Sequence, residues 1–211
     1  MKRVNFPCGH ITLEGVLHRP DAPGPFPGVV VCHPHPLYGG TMDSPVILSI
    51  CRALKTRGIA SLRFNFRGVG RSEGSYAEGV GEREDARAAL DFLSQQEVVD
   101  RSRLGLCGYS FGTIVGLPVA DQDDRVKALA GVSPFFSSPE LLQNFHRPKF
   151  FICGSRDDFV DLEELRRRVA GLPEPKELEI IPGADHFWWG YVEELSTKVA
   201  DFFAAALVSP D

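Results

Sequence analysis

The residue in this chain most clearly set up for chemistry is Ser110, which stands between two glycines in Gly108-Tyr109-Ser110-Phe111-Gly112. An apolar run, Leu104-Gly105-Leu106-Cys107, leads into it, and Thr113-Ile114-Val115-Gly116-Leu117 leads away, so the stretch reads as strand, one-residue turn, helix. A chain that reverses from strand to helix over one residue forces that residue to positive φ. Side chains two positions to either side would collide with the crossing backbone. Glycine at 108 and 112 removes them, and the hydroxyl is then expected to project above the carboxyl edge of a sheet, facing the N–H groups of the following helix. A serine hydroxyl attacks only when a base takes its proton, and an imidazole base needs a carboxylate to fix its tautomer. His186 is the candidate base and Asp157 the candidate acid, each just past a predicted strand, Phe150 to Cys153 and Leu178 to Ile181. That is where reactive residues gather in open parallel sheets. Asp158 is the rival acid, while Asp185 is too near His186 along the chain to orient its ring.

Acyl transfer also needs N–H donors aimed at the developing oxyanion. One is expected from the backbone of Phe111, the residue after the serine. The second is expected from His33-Pro34-His35-Pro36-Leu37, where both prolines lack an N–H; His35 is the expected donor and Leu37 the fallback. His33 and His35 could suggest a metal, but no third ligand stands at a recognised spacing, so neither metal nor cofactor is expected. The glycine-flanked pattern occurs twice. Gly70-Arg71-Ser72-Glu73-Gly74 matches it too, in a chain with 21 glycines, but polar loop residues flank it on both sides. Ser72 therefore lacks the strand and helix that a nucleophile's turn requires.

The elements that must position these groups alternate. Residues 2 to 8 and 10 to 18 read as a half-buried edge hairpin, with Ile11, Leu13, Gly15 and Leu17 inward and Thr12, Glu14 and His18 outward. Phe26 to Cys32 is a continuous apolar run of the kind shown by strands buried on both faces. Ser44 is placed to cap a helix with Pro45 in its first turn and Gly58 at its end. Strands are predicted at 59–64, 103–108, 126–132, 148–153 and 176–181. Helices are predicted at 81–96, from the elbow to about 120, at 161–170, and from about Trp189 to Leu207. This order implies an α/β fold, an eight-stranded, mostly parallel sheet with helices on both faces and a single domain over 1–211. The segment Ser133 to Arg147 is too short for a large lid.

Composition narrows the function classes. A net charge of -5 argues against broad nucleic-acid binding, and Arg166-Arg167-Arg168 reads as a salt-bridged helix face after Glu163-Glu164. The five cysteines include no C-x-x-C pair and look like buried residues of a reduced, cytoplasmic protein. No segment is apolar enough for a membrane span or a signal peptide. Oligomeric state is not readable.

With these residues in view, the chain resembles an α/β-hydrolase over essentially its whole length. His33-Pro34 stands where many members carry His-Gly, Arg67-Gly68-Val69-Gly70-Arg71-Ser72 resembles the R-G-x-G-x-S loop, and Gly108 to Gly112 resembles the nucleophile elbow. His-Pro-His-Pro followed by Gly-Gly-Thr-Met is similar to small bacterial hydrolases with little or no lid, related to the dienelactone-hydrolase and acyl-peptidase branches. The resemblance implies a Ser110/Asp157/His186 triad and makes Ser72 a loop residue. Serine rather than cysteine at the elbow departs from dienelactone hydrolases. The expectation is a serine hydrolase acting on a small carboxylic ester or thioester, with a peptidase or amidase, or a ligand-binding protein with little turnover, as alternatives. Phe135, Phe136, Phe145, Tyr38, Tyr109, Trp188 and Trp189 are candidates for an apolar rim around the substrate; no basic clamp for a carboxylate or phosphate is readable.

Overall fold

In the strand Phe26–Cys32 (β3) every residue is buried, and the side chains divide by parity: Val29 and Val31 enter one core, Val30 and Cys32 the other. This is the strand pattern of a sheet covered on both sides. The computed structural model describes residues 1–208; the last three residues of the expected 1–211 domain lie outside the described residues. The other strands are β1 (Lys2–Cys8), β2 (Ile11–His18), β4 (Ala60–Phe64), β5 (Val99–Tyr109), β6 (Val126–Val132), β7 (Lys149–Arg156) and β8 (Lys176–Asp185). They form an eight-stranded sheet in the order β1-β2-β4-β3-β5-β6-β7-β8. From β4 to β8 neighbours run parallel, and the two pairs at the β1 end are antiparallel.

Helices α1 (Pro45–Thr56) and α5 (Val192–Leu207) cover one face, packing Ile47, Ile50, Leu54, Leu195, Val199 and Phe203 onto it. Helices α2 (Gly81–Ser94), α3 (Phe111–Gln122) and α4 (Leu162–Ala170) cover the other through Ala89, Leu93, Val115, Val119, Leu165 and Val169. The fold is thus the expected doubly covered α/β sheet. No helix among the described residues is long and apolar enough to cross a membrane.

Two local expectations are corrected. Glu14 and His18 do not face solvent, because β2 is not the edge: β4 pairs with it, and polar partners bury both side chains. Glu14 Oε1 accepts from Asn65 Nδ2 and the Arg71 backbone N–H, both at 2.7 Å, while His18 Nε2 accepts from Arg63 Nε at 3.0 Å. Ser44 does occupy the residue before α1, but its side chain does not cap that helix. Its Oγ instead accepts from the Thr41 N–H at 3.2 Å, closing the preceding turn. The segment from Ser133 to Arg147 forms bends and turns, not a cap. Its own Leu142 and Phe145 are buried in the core, and the Arg147 guanidinium donates to the carbonyls of Ala120, Asp123 and Val126.

Candidate active site

The turn between β5 and α3 has the geometry that the glycines require. Ser110 sits at φ 54, ψ -118. A Cβ on Gly108 would stand 2.4 Å from the carbonyl oxygen of Gly112, and one on Gly112 would stand 2.3 Å from that of Cys32. Neither can be relieved by turning a side chain, so both positions admit only glycine. The tight crossing holds the Ser110 hydroxyl at the carboxyl end of β5.

Strands β7 and β8 run further than predicted, to Arg156 and Asp185, and this brings Asp157 and His186 to the ends of neighbouring strands. His186 Nδ1 lies 2.9 and 2.8 Å from the two Asp157 carboxylate oxygens, and Nε2 lies 3.0 Å from Ser110 Oγ. A carboxylate only accepts, so Nδ1 carries the imidazole proton and Nε2 is left as the acceptor for the serine O–H. Burial opposes the charge on Asp157, but hydrogen bonds from His186, Ser133 and the Phe159 N–H outweigh it and hold the carboxyl below its ordinary range. Asp158 is exposed, and its carboxylate has no partner among the described residues. Asp185 accepts from the Trp189 N–H at 3.2 Å and so braces the turn after the histidine.

Several supports were not legible beforehand. The Tyr109 hydroxyl donates to the His186 carbonyl at 2.8 Å. Trp188, fully buried at φ 63, donates its indole N–H to Ser133 Oγ at 3.2 Å, and Ser133 itself stands at φ 44 after β6. Phe159 lies over the imidazole with ring centroids 4.6 Å apart. No periodicity marks these residues; Tyr109, Phe159 and Trp188 stand within two positions of Ser110, Asp157 and His186, and Ser133 has no such signal.

The loop after β3 is latched by two imidazoles in opposite tautomers. His33 Nε2 accepts from the Phe66 N–H at 3.1 Å, so its Nδ1–H donates to the Pro34 carbonyl at 2.6 Å. Burial lowers the His33 pKa to about 4, keeping the ring neutral. His35 Nδ1 accepts from the Leu37 N–H at 3.2 Å, which leaves Nε2–H to donate to the Tyr76 hydroxyl at 3.3 Å. The Leu37 amide is thereby occupied. Among the described residues the backbone N–H groups of His35 and Phe111 have no protein acceptor, and both residues line the cavity that holds Ser110.

That cavity measures about 620 Å³. Tyr38, Tyr109, Phe135 and Trp189 line it as expected from their aromatic character, together with Phe159, Phe187 and Ile114. Three of the rim candidates are elsewhere. Trp188 and Phe145 are wholly buried in the core, and Phe136 lies at a separate, smaller pocket beside α4. Among the described residues no group of three or more metal-binding side chains occurs. The Ser72 hydroxyl has no imidazole partner among the described residues: its Oγ donates to the Asn65 carbonyl at 2.7 Å and accepts from the Glu14 N–H at 3.0 Å.

Residues 29–200 match a family model described as an alpha/beta hydrolase domain. An uncharacterized protein of Rickettsia prowazekii is 33% identical over 96% of this chain and 88% of its own. Among solved structures, an alpha-beta serine hydrolase homologue from Coxiella burnetii is 32% identical, with a TM-score of 0.82 over 95% of this chain and 96% of that one. A serine hydrolase without lid from Xanthomonas campestris is 27% identical, with a TM-score of 0.85 over 100% and 96%.

Proposed function

The chain belongs to the alpha/beta hydrolase family, and from that premise we propose that it cleaves a carboxylic ester or thioester through an acyl-Ser110 intermediate, its whole length serving as one hydrolase domain. The observation that carries this reading is the continuous hydrogen-bonded line from Ser110 Oγ through His186 to Asp157. His186 Nε2 takes the serine proton as Oγ attacks the carbonyl carbon. The tetrahedral oxyanion faces the amides of Phe111 and His35, the two N–H groups free in the cavity wall. Collapse breaks the bond to the leaving oxygen or sulfur, which receives the proton from His186. A water molecule, deprotonated by the same nitrogen, then attacks the acyl-enzyme and releases the acid. Asp157 holds the imidazole in the required tautomer throughout and stabilises the imidazolium between proton transfers.

The test is covalent labelling with a fluorophosphonate, read by peptide mass spectrometry. Modification of Ser110 is expected in the native chain. It should disappear in Ser110→Ala and fall steeply in His186→Ala, with circular dichroism unchanged. A folded native protein that takes up no label would instead favour a ligand-binding protein without turnover.

A further inference from the structure

The cavity that holds Ser110 has no lysine, arginine, aspartate or glutamate in its wall. Apart from Ser44 and the groups assigned to the reaction, its side chains are aromatic and aliphatic, and its volume of about 620 Å³ falls within the range of sites that hold a drug-sized ligand. The mouth is also apolar. Tyr38, Trp189, Phe159 and Phe187 line it at 87%, 73%, 61% and 55% exposure, a clustering of large rings in water that isolated surface residues do not show.

The charges nearest to this wall along the chain are all of one sign. Asp158 adjoins Phe159, Asp185 adjoins His186, and Glu193 adjoins Val192; none of the three carboxylates has an ion-pair partner among the described residues. Asp43, beside Ser44, is neutralised by Arg63. No lysine or arginine directly adjoins a lining residue in sequence; Arg156 lies opposite Asp185 in the β7–β8 ladder but outside the cavity. An anionic substrate would thus lose its water in a wall offering no cation, with unpaired carboxylates rather than cations next in sequence to its lining residues.

From this we infer that the substrates are neutral, hydrophobic esters or thioesters whose bulky apolar group lies against the Phe159–Phe187–Trp189 wall, and that carboxylate- or phosphate-bearing acyl donors are excluded. The inference rests on the reading of Ser110 as the nucleophile, and adds the charge and character of what Ser110 attacks.

Two matched pairs test it with the full chain: 4-nitrophenyl octanoate against the 4-nitrophenyl monoester of octanedioic acid, and octanoyl-N-acetylcysteamine against octanoyl-coenzyme A. The neutral member of each pair should have kcat/KM at least about 100-fold higher, the scale of burying a polar group without a partner, which an unpaired charge exceeds. The double variant Asp158→Lys/Glu193→Lys should raise turnover of the coenzyme A thioester severalfold and leave the neutral thioester unchanged. Trp189→Ala should raise KM for the octanoate more than for the acetate ester. Anionic members processed within about threefold of neutral ones, in a protein that fluorophosphonate labels at Ser110, would overturn this inference alone. Absence of labelling would overturn it together with the reading beneath it.

Discussion

Two five-residue stretches of this chain share one pattern and have opposite fates. At 108–112 the serine follows a buried strand and precedes a helix, and its φ is 54. At 70–74 the left-handed conformations fall on glycines, Gly70 and Gly74 at φ 59 and 84, which adopt them without strain, while Ser72 turns inward to pin the loop to β2. The neighbouring residues complete that pinning: Arg67 donates from Nε and Nη2 to the Asp85 carboxylate, and Asn65 Nδ2 donates to Glu14. One hydroxyl is thus presented and the other consumed. The difference lies in the elements that enter and leave each stretch and in whether an imidazole waits across the gap, so the pattern itself carries little information.

The contrast is broken most directly at the hydroxyls themselves. Ser110→Ala should reduce ester turnover roughly 10⁴- to 10⁶-fold with little change in melting temperature. Ser72→Ala should do the reverse, keeping turnover within a few-fold while costing about 1–3 kcal/mol of stability, because the Glu14 N–H and Asn65 carbonyl lose a buried partner. Equal activity losses from the two would erase the distinction. The next effect concerns the acid. Asp157→Asn is expected to lower kcat by about 10⁴, since an amide cannot hold the imidazole in its working tautomer, whereas Asp158→Asn should leave kcat for a neutral ester unchanged. The opposite order, read by steady-state kinetics, would reassign the acid.

A smaller effect is read by pH. His33, next to the elbow, and His18, on β2 and bonded to Arg63, are each held at a pKa of about 4, both chiefly by burial, with Arg63 adding to the effect on His18. Both folded values lie below the ordinary imidazole value near 6.5, so the unfolded chain binds more protons between the two. The stability these neutral rings contribute is therefore complete above about 6.5 and is lost as pH falls toward 4, on the order of 3 kcal/mol for each ring. Urea denaturation between pH 7 and 4 should show this slope, and His18→Gln or His33→Gln should each remove about half of it. A stability profile flat over that range would contradict the burial of both rings in neutral form.

Much of this arrangement was readable from local chemistry. The continuous apolar run at β3, the Pro45 start of α1 and the glycines around Ser110 each state a backbone requirement within a few residues, and the alternation of strands and helices follows from them. The order of Ser110, Asp157 and His186, past β5, β7 and β8, was readable for the same reason. What escaped reading depends on partners far away in sequence. Glu14 looked solvated because Asn65 and Arg71, which bury it, come from a loop about fifty residues on. Trp188 and Trp189 are identical neighbours, yet the positive φ of Trp188 sends one ring into the core and leaves the other at the cavity mouth. Phe159 and Phe187 gained their places only once β7 and β8 had brought their ends together.

The Tyr109 hydroxyl gives the molecule one more property. Strands β5 and β8 stand three positions apart in the sheet, a span of about 14 Å over which thermal twisting accumulates. Because Tyr109 grips the histidine's own carbonyl, the residue carrying the hydroxyl and the residue before it both hold the same distant loop. A twist of the sheet would therefore move that loop together with the elbow, and the Ser110–His186 separation would change less than the strands between them.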